Sequence, residues 1–155
     1  MKPLALLTLL FSAALLIGCD TVSGSTRTVT VTQLPTAATV TTALNSTPGV
    51  QRVTQREVSP ATSWGLYEGV IHDPAYNQFS FSTATTGGTL ETRKDSKGIM
   101  TIRFYSIWMN HTPPKSQFDQ TRSLLDAAYL SLRRADPSLP PPEALKETLM
   151  RYPSK

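Results

Sequence analysis

Apolar side chains run almost unbroken from Leu4 to Ile17, interrupted by Thr8, Ser12 and small alanines. Beyond that run, hydrophobic and polar positions alternate or recur, and each rhythm predicts an element. Pro35 to Ser46 places a proline suited to a helix's first position and sets Ala37, Val40 and Leu44 on one side, which predicts a short helix stopped by Pro48-Gly49. Its many β-branched threonines leave it dependent on packing. Val50 to Val58 reads as a strand. Trp64 to His72 is a further apolar segment, ended by the turn signal Asp73-Pro74. Between Asn77 and Thr83, Phe79 and Phe81 alternate with Ser80 and Ser82, another strand, and Thr86-Gly87-Gly88 follows as a flexible connection.

The clearest hairpin joins Thr89 to Lys94 with Ile99 to Asn110. A three-residue loop, Ser96-Lys97-Gly98, with Gly98 in the left-handed conformation sets Asp95 against Ile99. Counting outwards, Lys94 opposes Met100, Thr92 opposes Ile102 and Leu90 opposes Phe104, so the apolar members share one face. The other face pairs Glu91 with Arg103, and a slip of one residue would reverse both faces.

After Thr112-Pro113-Pro114, the stretch Ser116 to Asp119 matches a capping box with Asp in the usual Glu position, and the longest helix, to Ala135, is expected there. Phe118, Thr121, Leu125, Ala128 and Leu132 recur at three- and four-residue spacing, widened by Leu124 and Tyr129, while Arg122, Asp126 and Arg133 fall outside the stripe. Asp136-Pro137 ends the helix, Leu139 to Pro142 forms a stiff connector, and Glu143 to Arg151 is expected to make a last short helix. The sum is an α+β fold in two layers, an antiparallel sheet of about four strands packed by one main C-terminal helix.

The formal charge of +4 is mild, and basic residues are interspersed with acidic ones, with Arg93-Lys94 and Arg133-Arg134 the two basic pairs after the first apolar run. Such a surface offers no stripe to follow a phosphate backbone and speaks against nucleic acid as a partner.

The run of about 14 apolar residues would rise only about 21 Å as a helix, short of the ~30 Å hydrocarbon core of a bilayer. Met1-Lys2-Pro3 supplies a charged start, and Leu16-Ile17-Gly18-Cys19, with the single cysteine of the sequence, closes the run. The arrangement is that of a signal peptide, and its last four residues resemble the lipobox of bacterial lipoproteins. The resemblance implies that residues 1–18 are removed and that Cys19, carrying a diacylglyceryl group on sulfur, becomes the new N-terminus. The mature chain then has no thiol for a disulfide, a metal or catalysis. Asp20, by the sorting rule of enteric lipoproteins, implies the periplasmic side of the inner membrane, the outer membrane staying open. On this division residues 19–34 are the acylated cysteine and a Ser/Thr-rich tether with a reach of about 20 to 25 Å, and residues 35–155 form one domain. Within the tether, Val29 and Val31 alternate with Thr28, Thr30 and Thr32, so a strand added to a sheet edge is a second reading.

No HExxH, paired-cysteine or G-x-S-x-G spacing occurs, and no glycine-rich loop opens a helix. No metal or cofactor is implied. His72 and His111 stand at predicted strand ends, and a hydrolase would need them to converge with a third group. Trp64, Tyr67, Phe79, Phe81, Phe104, Tyr105 and Trp108 fit a core or, alternatively, the walls of a ligand pocket. Ile107 and Met109 share a strand face with Arg103 and Tyr105 on the side expected to be exposed, which makes these four the candidate interaction face. The pattern fits a non-catalytic envelope module binding a protein partner, with a periplasmic small-ligand binder as the alternative.

Overall fold

Alternation of side chains decides which face of each strand meets the helices in the computed structural model, which describes residues 22–56 and 77–151. The elements in order are β1 (Val22–Val31), α1 (Ala37–Asn45), β2 (Arg52–Arg56), β3 (Asn77–Ser82), β4 (Gly87–Lys94), β5 (Met100–Met109), α2 (Lys115–Ala135), a 3-10 turn (Pro142–Ala144) and β6 (Lys146–Met150). The strands form one antiparallel sheet in the order β2-β3-β4-β5-β1-β6. The class is α+β as expected, but the sheet has six strands rather than about four, and α1 joins α2 against it.

The expected hairpin register holds at each pair counted: Lys94 faces Met100, Thr92 faces Ile102, Glu91 faces Arg103 and Leu90 faces Phe104. Gly98 adopts φ +81°, and the Asp95 carboxylate accepts from the amides of Lys97 (2.9 Å) and Ile99 (2.8 Å), which locks the loop. The inner face presents Phe79, Phe81, Leu90, Ile102, Phe104 and Val29 to α1 and α2 in one buried cluster. On α2 the whole expected stripe is buried. The Tyr129 ring meets Phe104 edge-on at 5.9 Å, and its hydroxyl donates to the Pro140 carbonyl at 2.7 Å, which holds the proline connector down. Gly88 lets α2 approach: a Cβ there would come within 2.8 Å of both Leu125 and Phe81.

Gly87 and Gly88, expected in a flexible connection, are instead the first residues of β4, and four other expectations need correction. Over Val22–Val31 the Ser/Thr-rich segment is no tether; the second reading, a strand, holds, but in the interior of the sheet rather than at its edge, hydrogen-bonded to β5 on one side and β6 on the other. Residues 146–150, expected as helix, form β6, because β1 offers an edge to pair. The helix over 37–45 is capped by Thr36, whose hydroxyl accepts from the Thr39 amide at 3.1 Å, rather than opened by Pro35. The capping box at Ser116 does not form; α2 begins at Lys115, whose ammonium pairs with Asp119 at 2.5 Å.

One strand of the core was not foreseen to carry a buried charge. Arg27, 5% exposed on the inner face of β1, donates to both oxygens of Asp126 on α2 (2.6 and 3.2 Å), to Ser25 (3.0 Å) and to Glu147 on β6 (2.5 Å). Glu147 also receives a two-pronged contact from Arg122 at 2.7 and 2.9 Å. The guanidinium thus ties a strand, a helix and the edge strand together. Thr92, in contrast, buries its hydroxyl on the inner face without a hydrogen-bond partner among the described residues. Thr92→Val removes that unsatisfied group at nearly constant shape, and the urea midpoint is expected to rise by the equivalent of about 1 kcal/mol. A lowered midpoint would mean that the hydroxyl is bonded after all.

Candidate interaction face

Away from the helices, the register lines up residues across the sheet. One row crosses all six strands as Arg56, Gln78, Glu91, Arg103, Thr28 and Lys146, and the next as Thr54, Ser80, Thr89, Tyr105, Thr26 and Thr148. Strand alternation alone produces such a face, because every second side chain of each strand must point away from the core. The residues of these two rows are polar, so this part of the face can hydrogen-bond throughout.

Arg103 and Tyr105 are half-buried, and they converge on Glu91. The Tyr105 hydroxyl donates to Glu91 Oε1 at 2.8 Å, Gln78 Nε2 donates to the same oxygen at 2.9 Å, and Arg103 donates to Oε2 from Nη2 (2.6 Å) and Nε (3.1 Å). The Arg103 guanidinium also lies 4.8 Å from the centre of the Tyr105 ring, in cation–π range. Glu91 was expected as one half of an exposed cross-strand pair; it is 2% exposed. Burial by itself pushes its carboxyl up, but the Arg103 charge and the hydrogen bonds from Tyr105, Arg103 and Gln78 outweigh that and hold it below the ordinary carboxylate range.

Ile107 and Met109 differ from the other two. They are 43% and 58% exposed, at the far end of β5, where Ile107 faces Gly24 and Met109 faces Val22. The candidate face therefore divides into a polar cluster around Glu91 and an apolar end. Sequence reasoning found the Glu91–Arg103 pair by counting, but missed the contribution of Gln78, which comes from a third strand.

Other candidates are placed as follows. His111 is exposed, and its carbonyl accepts from the Ser23 hydroxyl at 2.6 Å. Cys19, Asp20, His72 and the segment from Trp64 to His72 lie outside the described residues. Phe79, Phe81 and Phe104 are core, and Trp108 packs on Phe118 at 5.6 Å between ring centres. Along the edge of the outer face, Arg52, Thr54, Arg56, Ser80 and Ser82 line an open groove of about 290 Å³. Its signal was in the sequence, since Arg52, Thr54 and Arg56 alternate along β2. No family model matches the chain, and comparison with curated proteins and with solved structures gives no match either. Among the described residues no helix is long and apolar enough to cross a membrane.

Proposed function

We propose that this chain is a lipoprotein of the bacterial cell envelope, anchored through acylated Cys19 on the periplasmic side and acting without catalysis by binding a protein partner on the face of its sheet turned away from α1 and α2. The observation that carries the second half is a sheet face on which, among the described residues, no helix packs, with Arg103 and Tyr105 held in fixed orientation by Glu91. Rigid, half-buried Arg and Tyr side chains are the kind that anchor protein interfaces. The first half rests on the lipobox resemblance at Leu16 to Cys19.

Radioactive palmitate is expected to label the protein in cells, and Cys19→Ala to abolish the label; a label that persists in the variant removes the anchor. For the face, a photoreactive amino acid placed at 103 or at 105 is expected to capture one and the same protein in living cells. The same group at Leu130, exposed on α2, is expected to capture none. If 103 and 105 capture nothing, the second reading gains: a periplasmic binder of small anionic ligands, favoured by the two arginines and three hydroxyls of the β2–β3 groove.

A further inference from the structure

Because β1 begins at Val22, only three peptide steps separate its first residue from Cys19, a span of at most about 11 Å. Val22 faces Met109 across the antiparallel ladder, where partner Cα atoms lie about 5 Å apart. The Cys19 and Met109 Cα atoms are therefore within about 16 Å of each other. A tether from 20 to 34 would have let the domain stand clear of the headgroups. With Val22–Val31 built into the sheet, that slack is gone.

The strands also have a polarity with respect to this point. β5 and β6 both run antiparallel to β1, so both end where β1 begins. Of the five large hydrophobic side chains exposed among the described residues, three sit at these strand ends: Ile107, Met109 and Leu149. Met150 lies beside them, its terminal carbon 3.2 Å from where a Cβ on Gly24 would stand. Ile107 and Met109 point to the outer side, while Leu149 faces Ser25 on the inner side, so the apolar residues rim the end of the sheet rather than one face. An apolar rim at the end of a sheet matches a plane set across the strands, whereas a protein partner on the outer face would cover only one side.

From this geometry we infer that the sheet end formed by Ile107, Met109, Leu149 and Met150 rests directly on the lipid bilayer and buries these side chains at the headgroup–acyl boundary. The inference depends on the anchor reading of Cys19, because the short link to Val22 is what brings the rim to the membrane. It identifies the occupant of the rim as lipid and leaves the Glu91 cluster to the partner. The β4–β5 loop then lies at the opposite end, about 30 Å away along β1 at ~3.3 Å per residue.

The test uses the full chain, acylated in a bacterial host, with benzoylphenylalanine at 109 or, as the distal control, at 97. Each protein is reconstituted with vesicles of phosphatidylethanolamine and phosphatidylglycerol, floated, irradiated and weighed by mass spectrometry. Expected is flotation of both proteins, phospholipid adducts from 109, and loss of those adducts at 97. Flotation with no lipid adduct from 109, or with adducts to a second copy of the chain, overturns the docking and leaves the anchor standing. Failure to float overturns the anchor and the docking with it. Circular dichroism matching that of the unsubstituted chain guards the comparison, and position 109, already 58% exposed, tolerates the larger side chain.

Discussion

Arg27→Met lowers the unfolding free energy by about 3 kcal/mol, read as a fall in the urea midpoint at neutral pH, the low end of what breaking a buried ion pair costs. Burial disfavours the Arg27 guanidinium, but hydrogen bonds and charge from Asp126 and then Glu147 outweigh that and hold its pKa above the ordinary value. Methionine keeps much of the apolar stem and removes every donor. The cost stays at the low end because Asp126 and Glu147 are not deeply buried, with side chains 49% and 33% exposed, and can be rehydrated once the arginine is gone. The loss is also local in a checkable way. Glu147 is the link through which Arg27 and Arg122 hold β6, so amide exchange over Lys146–Met150 quickens more than exchange in β4. Asp126→Asn, which removes a half-exposed charge and keeps an acceptor, destabilises less. Equal stability of Arg27→Met and the unsubstituted chain would show that the network contributes geometry without free energy.

The same arginine shows where the sequence could be read and where it could not. The β4–β5 hairpin was legible to the residue because its information is local: a loop that wants glycine at one position, and apolar Leu90, Ile102 and Phe104 at every second one. The α2 stripe was legible for the same reason, being a period repeated over many turns. β1 was legible only in part: alternating Val29 and Val31 allowed a strand, while Ser, Gly and Thr at most positions gave it the composition of a linker. What makes it a strand is pairing with β5 and β6, both far away in sequence, and a buried arginine that only a distant aspartate and glutamate can satisfy. β6 reads as helix because Lys, Glu, Leu and Met favour helices, and an available sheet edge overrides that preference. At the candidate face, counting found Glu91 opposite Arg103, but the burial of Glu91 depends on neighbours that pairwise register does not reveal. The apolar rim at Ile107, Met109, Leu149 and Met150 was half visible: Ile107 and Met109 follow from alternation, and the other two only from the unforeseen β6.

Glu91→Gln tests whether the carboxylate charge organises the outer face. At pH 7 the variant is expected to lose about 2 to 3 kcal/mol, since the buried carboxylate accepts four contacts from donors among the described residues and glutamine supplies one oxygen and no charge. Arg103, with its side chain 31% exposed, recovers some hydration, which keeps the loss below that of a fully buried pair. The pH dependence separates charge from shape. Glu91 titrates below the ordinary carboxylate range in the folded protein and within it in the unfolded chain. Its charge therefore contributes fully above the ordinary range, and the contribution is lost as the pH falls through the depressed folded value. Other carboxylates titrate alike in both proteins, so the stability gap between them isolates this group. That gap is expected to be constant from about pH 7 to 5 and to shrink steadily below about pH 4. A gap that stays level down to pH 3 would assign the effect to packing alone, and with it would go the argument that Glu91 sets the orientation of Arg103 and Tyr105. If the gap does close, the same variant gives the functional consequence: capture of the partner from 105 is weakened while palmitate labelling at Cys19 is untouched, because the substitution leaves the Leu16 to Cys19 sequence intact.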